Sequence, residues 1–386
     1  MKLCDKCIAP VEDNVAVCEE CRTFVAPKPV DWKTKEEELK ELIGHYKGRG
    51  NYDVLVPFTG GKDSSYVLWY AKKVLKVRPL AFTWKNYLSP TGALMNMENV
   101  TKKLGVEHRV AELDEDTTKR IYRALFKNMG RMCYCLVWAR LLAIPICVEE
   151  GIPLVLMGES AGQREGNQSW EIPANEETGS EIKNFFKIAR MGHFRALQRF
   201  DKPILSKVME EMFGPLEKCL AQKDVQWPIY LPLSNYVNWL QDRDELMRIL
   251  QEECNWKKPG ELFSHTSCTL EPIKGYMEYR KGLHETAAEI CCNIRMGTMT
   301  RKESIEEMKQ LYLDGTRPDE KIASFCGVIG ITEEEFDKNI GKTHVFDNPL
   351  AKWIFNMMFA KKIARYGNWL WGVKSGKFTI AGLVRK

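Results

Sequence analysis

The chain has 386 residues, 44% hydrophobic and 28% charged, enough to bury two or three domain cores; with 10% aromatics and 11 Trp it is not a disordered chain. Its net charge of +5 is uneven: residues 347–386 carry eight Lys/Arg against Asp347 alone, which leaves −2 elsewhere and argues against a nucleic-acid-binding body. The longest apolar stretch, Met132–Val148, is broken by Arg140 and Pro145 and falls short of the roughly 20 residues a bilayer span needs. The first residues lack the apolar core of a signal peptide, so a cytoplasmic location is expected, and the 13 Cys point to metal ligation or catalysis rather than disulfides.

Residues 1–25 carry Cys4, Cys7, Cys18 and Cys21 as two CxxC knuckles a hairpin apart. Four thiolates at that spacing suit tetrahedral zinc, and the segment has too few apolar residues to fold without it, so a zinc ribbon is expected. Residues 26–50 form a linker and a helix over Thr34–Lys47, with Leu39, Leu42, Ile43 and Tyr46 on one face and a Thr34/Glu37 capping box. Tyr52–Phe58 reads as a buried strand, followed by Thr59-Gly60-Gly61-Lys62-Asp63-Ser64-Ser65 and a helix over Tyr66–Leu75. Strands at Pro79–Trp84, Glu107–Ala111 and Pro153–Met157 alternate with helices at Thr91–Leu104, from Asp116, and at Cys135–Glu149. That alternation predicts an α/β fold with a doubly wound parallel sheet over residues 51–235. Residues 236–346 read as a mostly helical C-terminal region, and 347–386 as a basic, aromatic tail. Trp227-Pro228 and Leu231-Pro232 read as breaks between helices.

A glycine pair between a buried strand and a helix lets the backbone approach an anion that the helix N-terminus favours. It is not a Walker A loop, because Val56 stands where that motif needs Gly and Asp63 follows Lys62. The plainer reading of the same residues is a βα turn with an Asp N-cap. The segment resembles the PP-loop, Ser-Gly-Gly-x-Asp-Ser, of the N-type ATP pyrophosphatases (PP-loop/HUP-like sheets), with Thr59 for the first Ser. Members of that family cleave ATP to AMP and pyrophosphate while adenylating an oxygen of the substrate. The resemblance implies that Thr59, Gly60, Gly61, Ser64 and Ser65 grip the phosphates, that Asp63 is linked to Mg²⁺, and that Lys62 acts with Asp63. It places adenine near Phe82 and Thr83. Gly158 and Glu159 end another strand, where open α/β sheets bind ligands.

An adenylated oxygen is displaced either by ammonia or by sulfur. None of the six His is followed by x-Glu and the first Cys is Cys4, so no built-in glutaminase is legible, and ammonia is free or comes from a separate glutaminase partner. The segment Ile273–Ile305, and Gly330-Ile-Thr-Glu-Glu-Glu-Phe-Asp after it, is similar to the N-acetyl sugar amidotransferases of surface-polysaccharide (LPS) biosynthesis. Those proteins also begin with a double CxxC and then a PP-loop, so the resemblance covers most of residues 1–345. It implies conversion of the acetamido group of a nucleotide-linked sugar to an acetamidino group.

The cysteines depart from that pattern. Sulfur-inserting PP-loop enzymes hold a [4Fe–4S] cluster with three Cys, and Cys133, Cys135 and Cys268 are candidates for one, although the close pair here is CxC. The alternative is inert packing, the reading given to Cys147, Cys219, Cys254, Cys291, Cys292 and Cys326. His193 with Arg195 and Arg199 suits a sugar diphosphate or a solvated helix, and His265 a general base or a structural role. Arg280, Lys281 and Arg295 are substrate-site candidates, and Glu165, Glu171 and Glu176 form an acidic lid or solvated loop. The tail, with Trp353, Trp369 and Trp371, lies on a membrane surface, docks a partner or packs on the body. Beside the two enzymes stands a third reading, a non-catalytic nucleotide-binding adapter.

Overall fold

The computed structural model describes residues 2–26, 29–85, 87–130, 134–159, 178–239, 241–259, 268–274, 276, 285–309 and 316–340. Cys133, Glu165, Glu171, Glu176, His265, Arg280, Lys281 and the 347–386 tail lie outside these residues.

The N-terminal module is a two-stranded antiparallel ribbon, β1 (Lys2–Leu3) and β2 (Pro10–Val11), followed by a short helix, α1 (Glu19–Thr23). Helix α2 spans Trp32–Tyr46. It begins two residues before the expected capping box, because the Asp31 carboxylate accepts the Thr34 N–H at 3.2 Å and its hydroxyl at 2.7 Å.

The main body is one five-stranded sheet in which every pairing is parallel. Its strands are β3 (Val54–Pro57), β4 (Pro79–Trp84), β5 (Glu107–Ala111), β6 (Leu154–Met157) and β7 (Ile229–Pro232), in the order β5-β4-β3-β6-β7. Alternate residues feed opposite faces. Leu55, Leu80, Phe82, Trp84, Val155 and Met157 enter one core, with α5 (Glu115–Met129), α6 (Cys135–Glu150) and α7 (Thr178–Phe200). Val54, Val56, Ala81, Leu154 and Leu156 enter the other, with α2, α3 (Lys62–Trp69) and α4 (Thr91–Leu104). Helices on both faces explain why Val54–Phe58 is apolar throughout rather than alternating.

Helix α8 (Gly214–Ala221), just before the last strand, joins the first core. Residues past the last strand also pack on this body, and α9 (Arg243–Cys254) joins the second core beside α3 and α4. Helices α10 (Glu285–Arg295) and α11 (Arg301–Lys309) build a third core with the four N-terminal cysteines. Helices α12 (Asp319–Ile329) and α13 (Glu333–Ile340) pack on α5 through Phe325 and Phe336, whose rings stand 5.5 and 5.4 Å from that of Phe126.

Two expectations need correction. Leu231-Pro232 is not a helix break: Ile229–Pro232 is the fifth strand, parallel to β6 with Leu156 opposite Leu231, and its proline is tolerated because the strand is at the sheet edge. The helix after the glycine pair starts at Lys62, and its continuation Tyr70–Val74 is a π-helical turn. Among the described residues, no helix is long and apolar enough to cross a membrane.

Candidate functional site: the phosphate loop and the tetracysteine module

The strand order reverses between β3 and β6, and the carboxyl edge of the sheet at such a switch point is where open α/β sheets bind ligands. Thr59–Ser65 leaves β3 there, and Gly158-Glu159 leaves β6 beside it. A Cβ on Gly158 would stand 3.2 Å from the Asp63 carbonyl carbon, so the two loop ends touch. Gly60 has φ +70°, and a Cβ on it would stand 2.1 Å from the Ala93 carbonyl oxygen in α4. Only glycine fits this turn.

The loop is braced from within. Ser64 Oγ accepts the Thr59 N–H at 3.1 Å and lies 3.2 Å from Thr59 Oγ1, so the Thr in place of the motif's Ser keeps its hydroxyl in the loop. Helix α3 has Gly61 as N-cap, which offers no side chain to cap the first-turn N–H groups. Ser65 Oγ is fully buried and has no hydrogen-bond partner among the described residues. Lys62 Nζ lies 2.7 Å from both carboxylate oxygens of Asp63, and the lysine is 7% exposed. A glycine cradle, an uncapped helix start, an unmet hydroxyl and a lysine beside a carboxylate form a donor set that fits a polyphosphate with Mg²⁺ at the Asp63 carboxylate.

The other expected residues occupy different roles. Phe82 and Thr83 are buried; the Phe82 carbonyl accepts the Phe58 N–H at 2.7 Å, and the Thr83 hydroxyl donates to the Phe58 carbonyl. Thr83 Oγ1 is also 2.7 Å from His108 Nε2. These two residues brace Phe58 at the loop's entry. Glu159 accepts from Arg140 Nη2 at 3.1 Å, and its carbonyl accepts from Ser234. Arg140 is 3% exposed, and its guanidinium lies 5.8 Å from the centre of the Tyr230 ring. A lone Arg in the apolar stretch Met132–Val148 was the sequence signal for such a buried partner.

His193 is remote from this chemistry. It is buried, accepts from Trp138 Nε1 at 2.7 Å, and its Nδ1 lies 2.8 Å from the Ala189 carbonyl. Both ring nitrogens are used inside the core, which removes it as a diphosphate ligand; burial lowers its pKa to about 4. The neighbouring Arg195 and Arg199 are exposed.

Cys4, Cys7, Cys18 and Cys21 are all buried, with their sulfurs within 4.8 Å of one another. Zn–S bonds of about 2.3 Å in a tetrahedron need sulfurs about 3.8 Å apart, so modest contraction completes the site. Backbone N–H groups of Ala9, Cys18 and Cys21 point at Cys7, Cys4 and Cys18 sulfurs at 3.3, 3.3 and 3.4 Å, the donors that stabilise thiolates. Burial pushes the Cys21 thiol up to about 11, with the neighbouring Cys7 adding to the rise. Against Cys4 burial is outweighed by backbone donors from Cys7, Cys18 and Lys6, bringing it down to about 6. The donor set fits zinc. Arg301 of α11 donates to the Cys4 carbonyl at 3.3 and 3.2 Å and to that of Cys7 at 3.0 Å, fastening the module to the C-terminal helices.

Cys135 opens α6, with its sulfur 3.3 Å from the Tyr122 hydroxyl; Cys268 accepts the Leu270 N–H at 3.4 Å. Both are half-buried, whereas Cys147, Cys219, Cys254, Cys291, Cys292 and Cys326 are buried.

Residues beyond the sheet reach back to the loops and helix that follow β3 and β4, and spacing did not announce them. Trp256 Nε1 donates to the Gly60 carbonyl at 2.8 Å. Asn96 of α4 clasps both backbone groups of Lys257, at 2.6 and 2.8 Å. Thr269 donates its hydroxyl to the Leu88 carbonyl in the loop after β4, at 2.7 Å.

Residues 255–363 match the family model described as LPS biosynthesis protein WbpG-like, C-terminal domain. An uncharacterized protein of Methanocaldococcus jannaschii is 32% identical over 109 residues, 27% of this chain; the chain spans 39% of the length of that curated relative. Among solved structures, an NH3-dependent NAD synthetase of Campylobacter jejuni is similar at 17% identity, covering 50% of this chain and 94% of that one with a TM-score of 0.26. The U34-tRNA thiolase NcsA of Methanococcus maripaludis, with its [4Fe–4S] cluster, is similar at 14% identity, covering 79% and 88%, with a TM-score of 0.30. The chain thus joins a parallel sheet, with a glycine-pair loop at its switch point, to a C-terminal region that matches the model of the WbpG-like C-terminal domain.

Proposed function

We propose that the protein is an ATP-dependent amidotransferase, acting in the cytoplasm, that converts the acetamido group of a nucleotide-linked N-acetyl sugar to an acetamidino group. The observation that carries this reading is the phosphate cradle at the sheet's switch point, joined to a region matching a lipopolysaccharide-biosynthesis domain. In the first step the acetamido oxygen attacks the α-phosphorus of ATP, the bond to the β-phosphate oxygen breaks, and pyrophosphate leaves. Ammonia then adds at the activated carbon, AMP departs with the electrons of the C–O bond, and one proton passes to solvent, giving the amidine. The Gly60-Gly61 turn, the first turn of α3 and the Ser64 and Ser65 hydroxyls hold the β- and γ-phosphates, while Lys62 sets a positive charge beside them. The Asp63 carboxylate would hold Mg²⁺, which when bound would supply positive charge against the departing pyrophosphate. The ammonia is free or delivered by a separate glutaminase.

A second reading, sulfur insertion, draws on one observation: Cys135 and Cys268 are the half-buried cysteines where the rest of the described thiols are buried.

The test incubates the purified protein with ATP, Mg²⁺, ammonium and a panel of UDP-linked N-acetylated sugars, following AMP, pyrophosphate and the sugar's mass. Sugar- and ammonium-dependent AMP formation, with NH replacing oxygen in the product and loss in a folded Asp63→Ala variant, is the expected result. Sulfur replacing oxygen, with iron in the anaerobically purified protein, would establish the second reading instead. Nucleotide binding without cleavage, with biological activity intact in Asp63→Ala, would make the protein an adapter.

A further inference from the structure

Trp256 stands two residues past α9, at the start of the WbpG-like region, yet it is 1% exposed and its indole N–H reaches back 196 residues to the Gly60 carbonyl. The turn that sends it there is made by Asn255 in the left-handed region, at φ +54°. Lys257 and Pro259 are pinned as firmly. Asn96, with no exposed surface, closes two hydrogen bonds on Lys257, and Pro259 lies against Gly92, where an added Cβ would stand 2.6 Å from the proline's own. Gly60 is pressed between this segment and the Ala93 carbonyl of α4. The phosphate loop is therefore held between α4 and residues 256–259.

A trans peptide is rigid, so its C=O and N–H point in opposite directions. Fixing the Gly60 carbonyl on Trp256 fixes the Gly61 N–H on the other side, toward the loop interior, where it lies 3.4 Å from Thr59 Oγ1. Glycine on both sides of that peptide leaves little else to resist its rotation. Resting on the ATP reading above, we infer that Trp256 is a positioning residue: through it the C-terminal region sets the peptide that grips the β- and γ-phosphates.

The discriminating variant is Trp256→Phe, which keeps an aromatic ring in the core and removes the N–H. Calorimetry with two probes, Mg–AMPPNP and AMP, separates grip from packing, because AMP carries no β- or γ-phosphate. The expected result is about tenfold weaker AMPPNP binding with AMP binding unchanged, as one lost buried hydrogen bond implies. Asn96→Ala, which frees Lys257 without touching Trp256, is expected to show the same split at about threefold. Thermal melting confirms that each variant is folded. Equal weakening of both probes, or no weakening of AMPPNP, in either folded variant would reduce Trp256 to core packing. A folded wild-type protein that binds neither probe would instead overturn the ATP reading on which the inference rests.

Discussion

At Gly60 the backbone conformation and the packing make the same demand. A methyl group there would require φ +70° of an L-residue and would meet the Ala93 carbonyl oxygen at 2.1 Å, and backbone cannot step aside as a side chain can. Gly60→Ala is expected to cost about 2–4 kcal/mol of stability, read as a lower urea midpoint, and to abolish AMPPNP binding. His193 titrates as a consequence of its burial. It is held neutral, with Nε2 accepting the Trp138 N–H, and a proton on that nitrogen would face a donor. Its pKa is lowered to about 4 from an unfolded value near 6.5, so in that window the unfolded chain binds the proton and the folded one does not. Its contribution is present above pH ~6.5 and lost as pH falls toward 4, by about 3 kcal/mol. Urea midpoints measured from pH 7 to 4.5 should fall less steeply in His193→Gln than in the wild type, although that variant starts lower.

At the scale of elements, the N-terminal module is too small to fold on its own core, and the structure shows two supports. One is the set of four converging sulfurs, the other the docking of the module on α10 and α11. Arg301 is one fastener, with three hydrogen bonds to the Cys4 and Cys7 carbonyls from a helix almost 300 residues away. Chelation should therefore release one zinc per chain, read with a colorimetric zinc indicator, and expose four thiols to a thiol reagent while the sheet keeps its far-ultraviolet signal. Arg301→Ala should release the same zinc severalfold faster. The expected helix over Thr34–Lys47 forms but starts earlier, and the expected break at Pro232 is a strand, both for local reasons. An Asp three residues upstream won the cap, and a proline is tolerated on an edge strand.

At the scale of the molecule, the site exists because one sheet reverses its strand order between β3 and β6. The alternation of buried runs and helical periodicities made four of the five strands of the sheet legible, and the glycine pair made the turn between β3 and α3 legible, because these signals are carried by neighbours in the chain. The four cysteines were legible for the same reason, their spacing being itself the ligand geometry. Contacts that cross the chain lay beyond sequence reading. Trp256 on Gly60, Asn96 on Lys257 and Arg301 on the cysteine knuckles are each a polar side chain meeting a distant backbone. No periodicity encodes such a meeting. By itself the sequence determined the class of fold, the loop and the metal module; the tertiary structure decided what holds them, because only the packed sheet and helices bring residues hundreds of positions apart within hydrogen-bond distance.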